Sequence, residues 1–413
     1  MAATEALIKS TPYSIGWYLG YPSVTGLENG GFVIAYQNSF NDGAGIGLQI
    51  FDADGKKVGN EIHADSFASG TQSKPALSAL DNGNFVVTWQ SAEQESSGTG
   101  IYAQMFDSSG AKVGSELHVN TYTTNNQYLP AITSLESNSY YDGGFVVAWN
   151  STGQEGYSNS IRYKYFYLDQ GNLGSTSNEF SLDAGSDFWG SITSPSIDFS
   201  EDTGQLFGAW YALASGKVFF GDYNDTSESE QSIGYSYDHT LVAGDLGDVF
   251  VAFYDGSSRD VRINKYNLYG ILEDSATLNT YTRGSQREPS LAKLTDGNFV
   301  AVWQSEYQDG DMLGVHAQRF DAALQKIGSE FRVNDTVDGD QSMPQVAALS
   351  DGGFVVTWGS ETDVYAKRYD ANGVVKEIST ETLDGDTGGD VTAPTLSAVY
   401  INGSEFAEGD TVV

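Results

Sequence analysis

Cysteine is absent from the 413 residues. That removes disulfides and any Cys-ligated structural zinc as sources of stability. Basic residues are scarce: 20 Lys and Arg stand against 55 Asp and Glu, a formal net charge of −35. A surface of that sign repels phosphate backbones and anionic lipid, which argues against nucleic acid and membrane insertion as partners. No apolar run is long enough to span a bilayer as a helix. Residues 1–10 lack the basic and apolar regions of a signal peptide. A large disulfide-free chain fits a secreted bacterial product and equally a cytosolic one.

Catalytic signatures are missing as well. The sequence has no Gly-x-Ser-x-Gly elbow, His-Glu-x-x-His helix, P-loop or Ser-x-Asp-x-Gly-x-x-Trp box. Paired carboxylates of the kind a glycosidase uses arise by chance among 55 acids. The expectation is therefore a non-enzyme. Of the four histidines, His63 and His118 share one repeat position, which Arg332 fills elsewhere; the sharing marks a structural role.

What the chain has is glycine, 48 residues, with 25 Tyr and 21 Phe. This composition favours an all-β fold. The stretch from Gln72 to Asn120 shows how it is used. Short apolar runs, among them Phe85-Val86-Val87-Thr88-Trp89, alternate with the turns Asp81-Asn82-Gly83 and Asp107-Ser108-Ser109-Gly110. Four antiparallel strands joined by three turns are expected.

The unit recurs. Its second strand ends in an aromatic at Tyr36, Trp89, Trp149, Trp210, Phe253, Trp303 and Trp358, and a proline precedes the first strand at Pro22, Pro75, Pro130, Pro195, Pro289 and Pro344. Thr240 stands near that place in the fifth unit. Repeats of about 50 residues with four strands have the size of a β-propeller blade. The expected fold is an all-β, seven-bladed propeller of four-stranded antiparallel blades, followed by a short C-terminal β segment. Residues 1–12 read as a lead-in, 13–380 as the propeller and 381–390 as an acidic, glycine-rich linker. Residues 391–413 read as the start of an Ig-like domain, so the chain is expected to be a piece of something longer.

In such a fold the turns Asp52-Ala53-Asp54-Gly55 and Asp370-Ala371-Asn372-Gly373 are structural and lie on one face. The variable loops, where function gathers, lie on the other. On that variable face the loops carrying Asp42, Asp309, Asp311, Asp338 and Asp340 combine carboxylates with glycine. Calcium is the cofactor they would take. Gln72, Gln127, Gln286 and Gln341 each stand three residues before the repeat proline, and departing repeats bring aromatics there instead. Those are Trp17, Tyr18 and Tyr21, then Phe188 and Trp189, then Tyr235 and Tyr237 with His239. Aromatics beside amides suit sugars or peptide side chains, while the glutamines also suit a role in tying loops together.

The phrases Gly114-Ser115-Glu116-Leu117-His118-Val119-Asn120-Thr121, Gly328-Ser329-Glu330-Phe331-Arg332-Val333-Asn334 and Asp351-Gly352-Gly353-Phe354-Val355-Val356-Thr357-Trp358 are similar to tandem repeats of large bacterial surface adhesins of the RTX (hemolysin-type calcium-binding) class. Val391-Thr392-Ala393-Pro394-Thr395 resembles the opening of their Ig-like extender domains. The resemblance implies an extracellular module on a bacterial cell surface with neighbouring Ig-like domains in the same chain. Its partner would be a glycan or protein on a target cell or biofilm. A spacer without a ligand, or an enzyme acting on polysaccharide, are the alternatives.

Overall fold

The computed structural model describes residues 5–10, 21–40, 43–67, 69–95, 97–137, 142–156, 159–181, 192–200, 202–212, 217–222, 229–231, 238–360, 363–382, 399–401 and 404–406. The chain separates into two units, 1–382 and 383–413. In the second, Val399–Ile401 pairs antiparallel with Ser404–Phe406.

The first unit is a β-propeller. Six blades are each built from four consecutive strands, and their innermost strands are Ser23–Gly26, Gln72–Ala79, Gln127–Ser137, Ile192–Ser200, His239–Ala243 and Gln286–Lys293. The remaining sheet has only three consecutive strands, Gln341–Ala348, Phe354–Ser360 and Asp363–Tyr369. Its outer position is taken by Ala6–Ser10, with Ala6 opposite Ala366 and Ser10 opposite Asp363. The expectation of seven alike four-stranded blades is corrected accordingly: six blades of that kind are present, and the last sheet is a composite of both ends of the unit. Residues 6–10 are likewise part of the propeller rather than a lead-in.

The closure is reinforced beyond that strand. Val375–Lys376 also pairs with Asp363–Tyr369, and Ser379–Thr382 then crosses to lie parallel to Lys56–His63 of blade one. Lys9 reaches the same blade through a 2.5 Å ion pair with Glu61.

The repeated apolar second strand explains the ring. Side chains alternate across a strand, so one set meets the preceding blade and the other set the following one. Phe32, Ile34 and Tyr36 pack with Ala6, Ile8, Val355 and Val364 of the last sheet. Val33 and Ala35 pack with Phe85, Val87 and Trp89 of blade two, and Val86 turns to Phe145, Val147 and Trp149 of blade three. Trp89, Trp149, Trp303 and Trp358 are among the largest fully buried side chains. A core laid between blades has no use for disulfides.

The outer turns behave as their composition requires. The Oδ1 of Asp107 accepts the N–H of Ser109 (2.9 Å) and Ala111 (3.0 Å). Asp52 and Asp370 do the same for residues two and four ahead. Gly55, Gly110 and Gly373 follow at φ of 80°, 88° and 80°, a conformation that glycine adopts without steric cost. The carboxylates of Asp52 and Asp370 are therefore committed to turn amides.

Candidate functional site at the channel mouth

The first strands line the axis, and hydroxyls hold them in register. Ser23 Oγ accepts the Leu77 N–H (3.1 Å), Ser196 Oγ that of Leu241 (2.9 Å) and Ser290 Oγ that of Val346 (3.1 Å). Near the start of these strands the ladder slips where the repeat proline enters. The register shifts between Ser73 and Ala76, Tyr128 and Ala131, Thr193 and Ser196, Arg287 and Ser290, and Ser342 and Gln345. Proline has no N–H to give the ladder, so a bulge is the expected accommodation.

The residue before the proline carries the consequence. Lys74, Leu129, Glu288 and Met343 adopt φ of 56°, 55°, 50° and 54°. That region costs a non-glycine residue about 1–3 kcal/mol and persists where the surroundings impose it. Together with Tyr21 and with Asp238 of blade five, these residues line one cavity of about 450 Å³ on the axis. Each of these blades thus presents one side chain to the channel mouth. Volumes of roughly 300–1,000 Å³ are usual for small-ligand sites.

The bulge amides freed from the ladder are taken by the preceding blade. Leu129 donates its N–H to Gln90 Oε1 (3.1 Å) and Met343 to Glu288 Oε2 (3.0 Å), while the Glu288 N–H is bound by the Asp238 carboxylate. Asp238 and Glu288 therefore have a structural duty and still face the cavity. Burial and the nearby Asp238 charge push the Glu288 carboxyl up to about 7, and burial raises Asp238 as well, against the pull of Arg287. The Arg287 guanidinium lies 4.8 Å from the centre of the Tyr254 ring.

Lys74 faces them from blade two. Its ammonium stands 3.0 Å from the centre of the Tyr21 ring, a cation–π contact. Burial lowers it to about 8, against the attraction of Glu288. Among the described residues no ion pair reaches it. Perturbed groups of opposite sign gathered in one cavity make it the candidate site of this chain.

Of the sequence candidates, Tyr21 and His239 line this cavity. His239 Nε2 lies 3.2 Å from the Ala209 carbonyl, and burial lowers the imidazole to about 4, so it is neutral at physiological pH. Trp17, Tyr18, Phe188, Trp189, Tyr235, Tyr237 and Asp42 lie outside the described residues. The four glutamines are buried. Their amides donate to loop carbonyls: Gln72 to Ser69, Gln127 to Thr124, Gln286 to Arg283 and Gln341 to Asp338. They hold the loops, the second of the two roles that their position suited.

The acidic loops also have internal work. Asp311 Oδ2 accepts the Gly339 N–H (3.0 Å) and Asp309 Oδ2 an Asn334 amide hydrogen (2.9 Å), so the loops of Asp309, Asp311, Asp338 and Asp340 meet. No group of three His, Asp or Glu among the described residues is arranged to hold a metal ion.

Sequence reasoning missed Lys74, Asp238, Glu288, Leu129 and Met343. The signal was available. Each of them except Asp238 immediately precedes a repeat proline, where a bulge turns the side chain inward.

No known family's sequence profile matches the chain, and no curated protein matches it. Solved structures do. An α-L-arabinanase of Penicillium chrysogenum complexed with arabinobiose aligns at a TM-score of 0.53 and 14% identity, over 90% of this chain and 98% of that one. A protein of unknown function from Dyadobacter fermentans aligns at 0.49 and 12%, over 88% and 98%. The leech intramolecular trans-sialidase aligns at 0.49 and 11%, over 90% and 70%. The likeness to the arabinanase shows the fold, a β-propeller, and no more.

Proposed function

We propose that the chain is a glycan-binding propeller whose ligand enters the axial cavity among Tyr21, Lys74, Asp238 and Glu288. The observation that carries this reading is the bulge ring: strained backbone at Lys74 and Glu288 aims opposite charges into a cavity of ligand size. Tyr21 offers a ring face, and the charged groups offer donors and acceptors for hydroxyls. The acidic surface and the adhesin-like repeat phrases support a setting on a bacterial cell surface, with a glycan of a target cell or biofilm as partner.

The pairing of Asp238 with Glu288 favours a second reading, glycoside hydrolysis. A carboxyl held near 7 can deliver a proton to a leaving oxygen at neutral pH, and a neighbouring carboxylate is the usual second group. Isothermal titration against a panel of oligosaccharides, with product analysis of the same mixtures, tests both. Binding lost in Lys74→Met and retained in Gln341→Ala supports the site, and reducing ends that appear with the native chain but not with Glu288→Gln establish hydrolysis. Binding that ignores Lys74 and Glu288 overturns the assignment.

A further inference from the structure

Blade five departs from its neighbours along its outer edge. Eight large apolar side chains are exposed among the described residues, and four of them belong to this blade: Leu246, Tyr269, Ile271 and Leu272, between 47% and 78% exposed. Leu246 lies in the turn between the first two strands, and the other three lie where the chain enters the outer strand, Leu272–Thr277. The two turns abut, since a Cβ on Gly247 would stand 2.9 Å from Leu268 Cβ.

The corresponding places elsewhere are polar. Asn29, Asn82, Asp296 and Asp351 precede the turn glycine where blade five has Leu246. In blades one, two and six the outer strand opens on lysine: Lys57 opposite Phe51, Lys112 opposite Phe106 and Lys326 opposite Phe320. Blade five has Leu272 there, opposite Tyr266. Lysine at an outer edge discourages pairing with foreign strands. Blade five lacks that protection, and exposed apolar side chains gathered in one place are a usual mark of an interaction surface.

Blade one shows what such an edge receives. Ser379–Thr382 runs parallel to its outer strand, with Ser379 beside Lys56 and Thr382 beside Lys57, and the Ser379 N–H donates to the Gly55 carbonyl (2.9 Å). The arriving segment has Glu377 and Glu381 in its sequence against those lysines. Gly270 holds the place of Gly55 in blade five, but the signs there are reversed. Asp202, Asp245, Asp248, Glu273 and Asp274 stand beside the apolar side chains. Lys265 and Lys293 are paired with Asp248, Glu273 and Asp245, and carboxylates remain in excess. The Asp274 carboxylate takes the Ser275 N–H (2.8 Å), which confines an added strand to the start of the edge, the part that blade one uses.

We propose that this edge receives a β-strand of another protein, an extended segment in which apolar side chains alternate with Lys or Arg. Among the described residues no fifth strand covers it. Main-chain hydrogen bonds hold the segment to the edge, as in other cases of strand addition. Its apolar side chains cover Ile271 and Leu272, and its bases meet the surrounding carboxylates. A second copy of this chain is a poor occupant, because both surfaces would bring the same charge.

Fluorescence anisotropy with three labelled peptides of equal length, at physiological salt, tests this. One alternates Val with Lys, one Gly with Lys, and one Val with Glu. The Val–Lys peptide is expected to bind one-to-one and about tenfold tighter than either of the others. Its addition should slow hydrogen exchange at the amides of residues 270–274. Leu272→Lys, which supplies the edge lysine of blades one, two and six, should abolish the binding, and Leu246→Asn should weaken it. Both positions are exposed, and a melting curve checks that the variants fold.

Equal binding of the Gly–Lys peptide overturns the proposal, because acidic charge alone would then explain the attraction. Binding that survives Leu272→Lys overturns it, as does failure of every peptide. A dimer of the chain alone in sedimentation, dissolved by Leu272→Lys, also overturns it, since a second copy would then occupy the edge.

Discussion

Glu5 and Thr336 stand at opposite ends of the propeller sequence, yet the Glu5 carboxylate accepts the backbone N–H of Thr336 at 3.1 Å and its hydroxyl as well. It also accepts the Asp335 N–H at 2.6 Å. The same clamp recurs inside the chain. Glu179 takes the N–H and hydroxyl of Thr121 and a Gln154 amide; Glu330 takes those of Thr280 and a Gln308 amide. Glu5 is therefore the outer-strand glutamate of the last sheet, supplied from the other end of the unit.

Replacing Glu5 by Ala is expected to cost about 1–2 kcal/mol in urea unfolding, since the amides it leaves are partly exposed to water. Hydrogen exchange should locate the loss. Amides of Ala6–Ser10 and Asp363–Tyr369 should exchange faster, and those of blade three should not change. Uniform acceleration throughout would show that closure is not local.

The two buried charges at the channel mouth predict a pH dependence with opposite signs. Glu288 has a raised folded value, about 7 against 4.5. The stability it contributes is fully present below about pH 4.5 and is lost as pH rises through 7. Lys74 is depressed, about 8 against 10.5; its contribution is present above about pH 10.5 and lost as pH falls through 8. Near neutrality both are penalised, so each neutral variant should be more stable than the native chain.

Glu288→Gln should gain up to about 2–3 kcal/mol at pH 8 and little at pH 4.5. Lys74→Met should gain at pH 7 and lose that advantage toward pH 10. Denaturant midpoints across pH 4.5–10 decide the matter. A gain for Glu288→Gln that is largest in acid would sink the assignment.

The glutamines give a prediction of the reverse kind. Gln286 Oε1 accepts the indole N–H of buried Trp303 at 3.2 Å, and its amide holds the Arg283 carbonyl. Gln286→Ala should cost about 2–3 kcal/mol by leaving the indole N–H without a partner. Oligosaccharide affinity of the folded fraction should be unaltered. A variant that keeps its stability and loses binding would return Gln286 to the ligand.

These contrasts show what could be read from the chain and what could not. The propeller was legible because its second strands repeat, at the spacing of a four-stranded unit, a pattern apolar on both faces, and neighbouring blades cover both. Closure was harder to see. Glu5-Ala6-Leu7-Ile8 copies the spacing of Glu116-Leu117-His118-Val119 but keeps only its glutamate and its apolar character, so the N-terminal strand did not announce itself as the missing outer strand. The site was obscured for a different reason. Proline marked its register, but which neighbour enters the channel depends on a bulge and on a positive φ at Lys74 and Glu288, which ordinary strand alternation does not foresee.

Leu246 offers a test of strain away from the cavity. It sits in the turn between the first two strands of blade five at φ 58° and ψ 21°, followed by Gly247 at φ 82°. Two successive left-handed residues in a tight hairpin form the turn type that favours Asn-Gly. Blade two has Asn82-Gly83 at the corresponding place, but there only Gly83 is left-handed, and its N–H closes the turn onto the Leu80 carbonyl. The Leu246 side chain is 78% exposed, so little packing offsets the conformational cost of a branched apolar residue in that region. Its N–H, which donates to Asp202 Oδ2 at 2.7 Å, does not depend on the side chain. Leu246→Asn should therefore raise stability by about 1 kcal/mol, seen as a higher denaturant midpoint at unchanged slope. A lower midpoint would mean that the leucine earns its place through contact with Leu268, which lies beside Gly247.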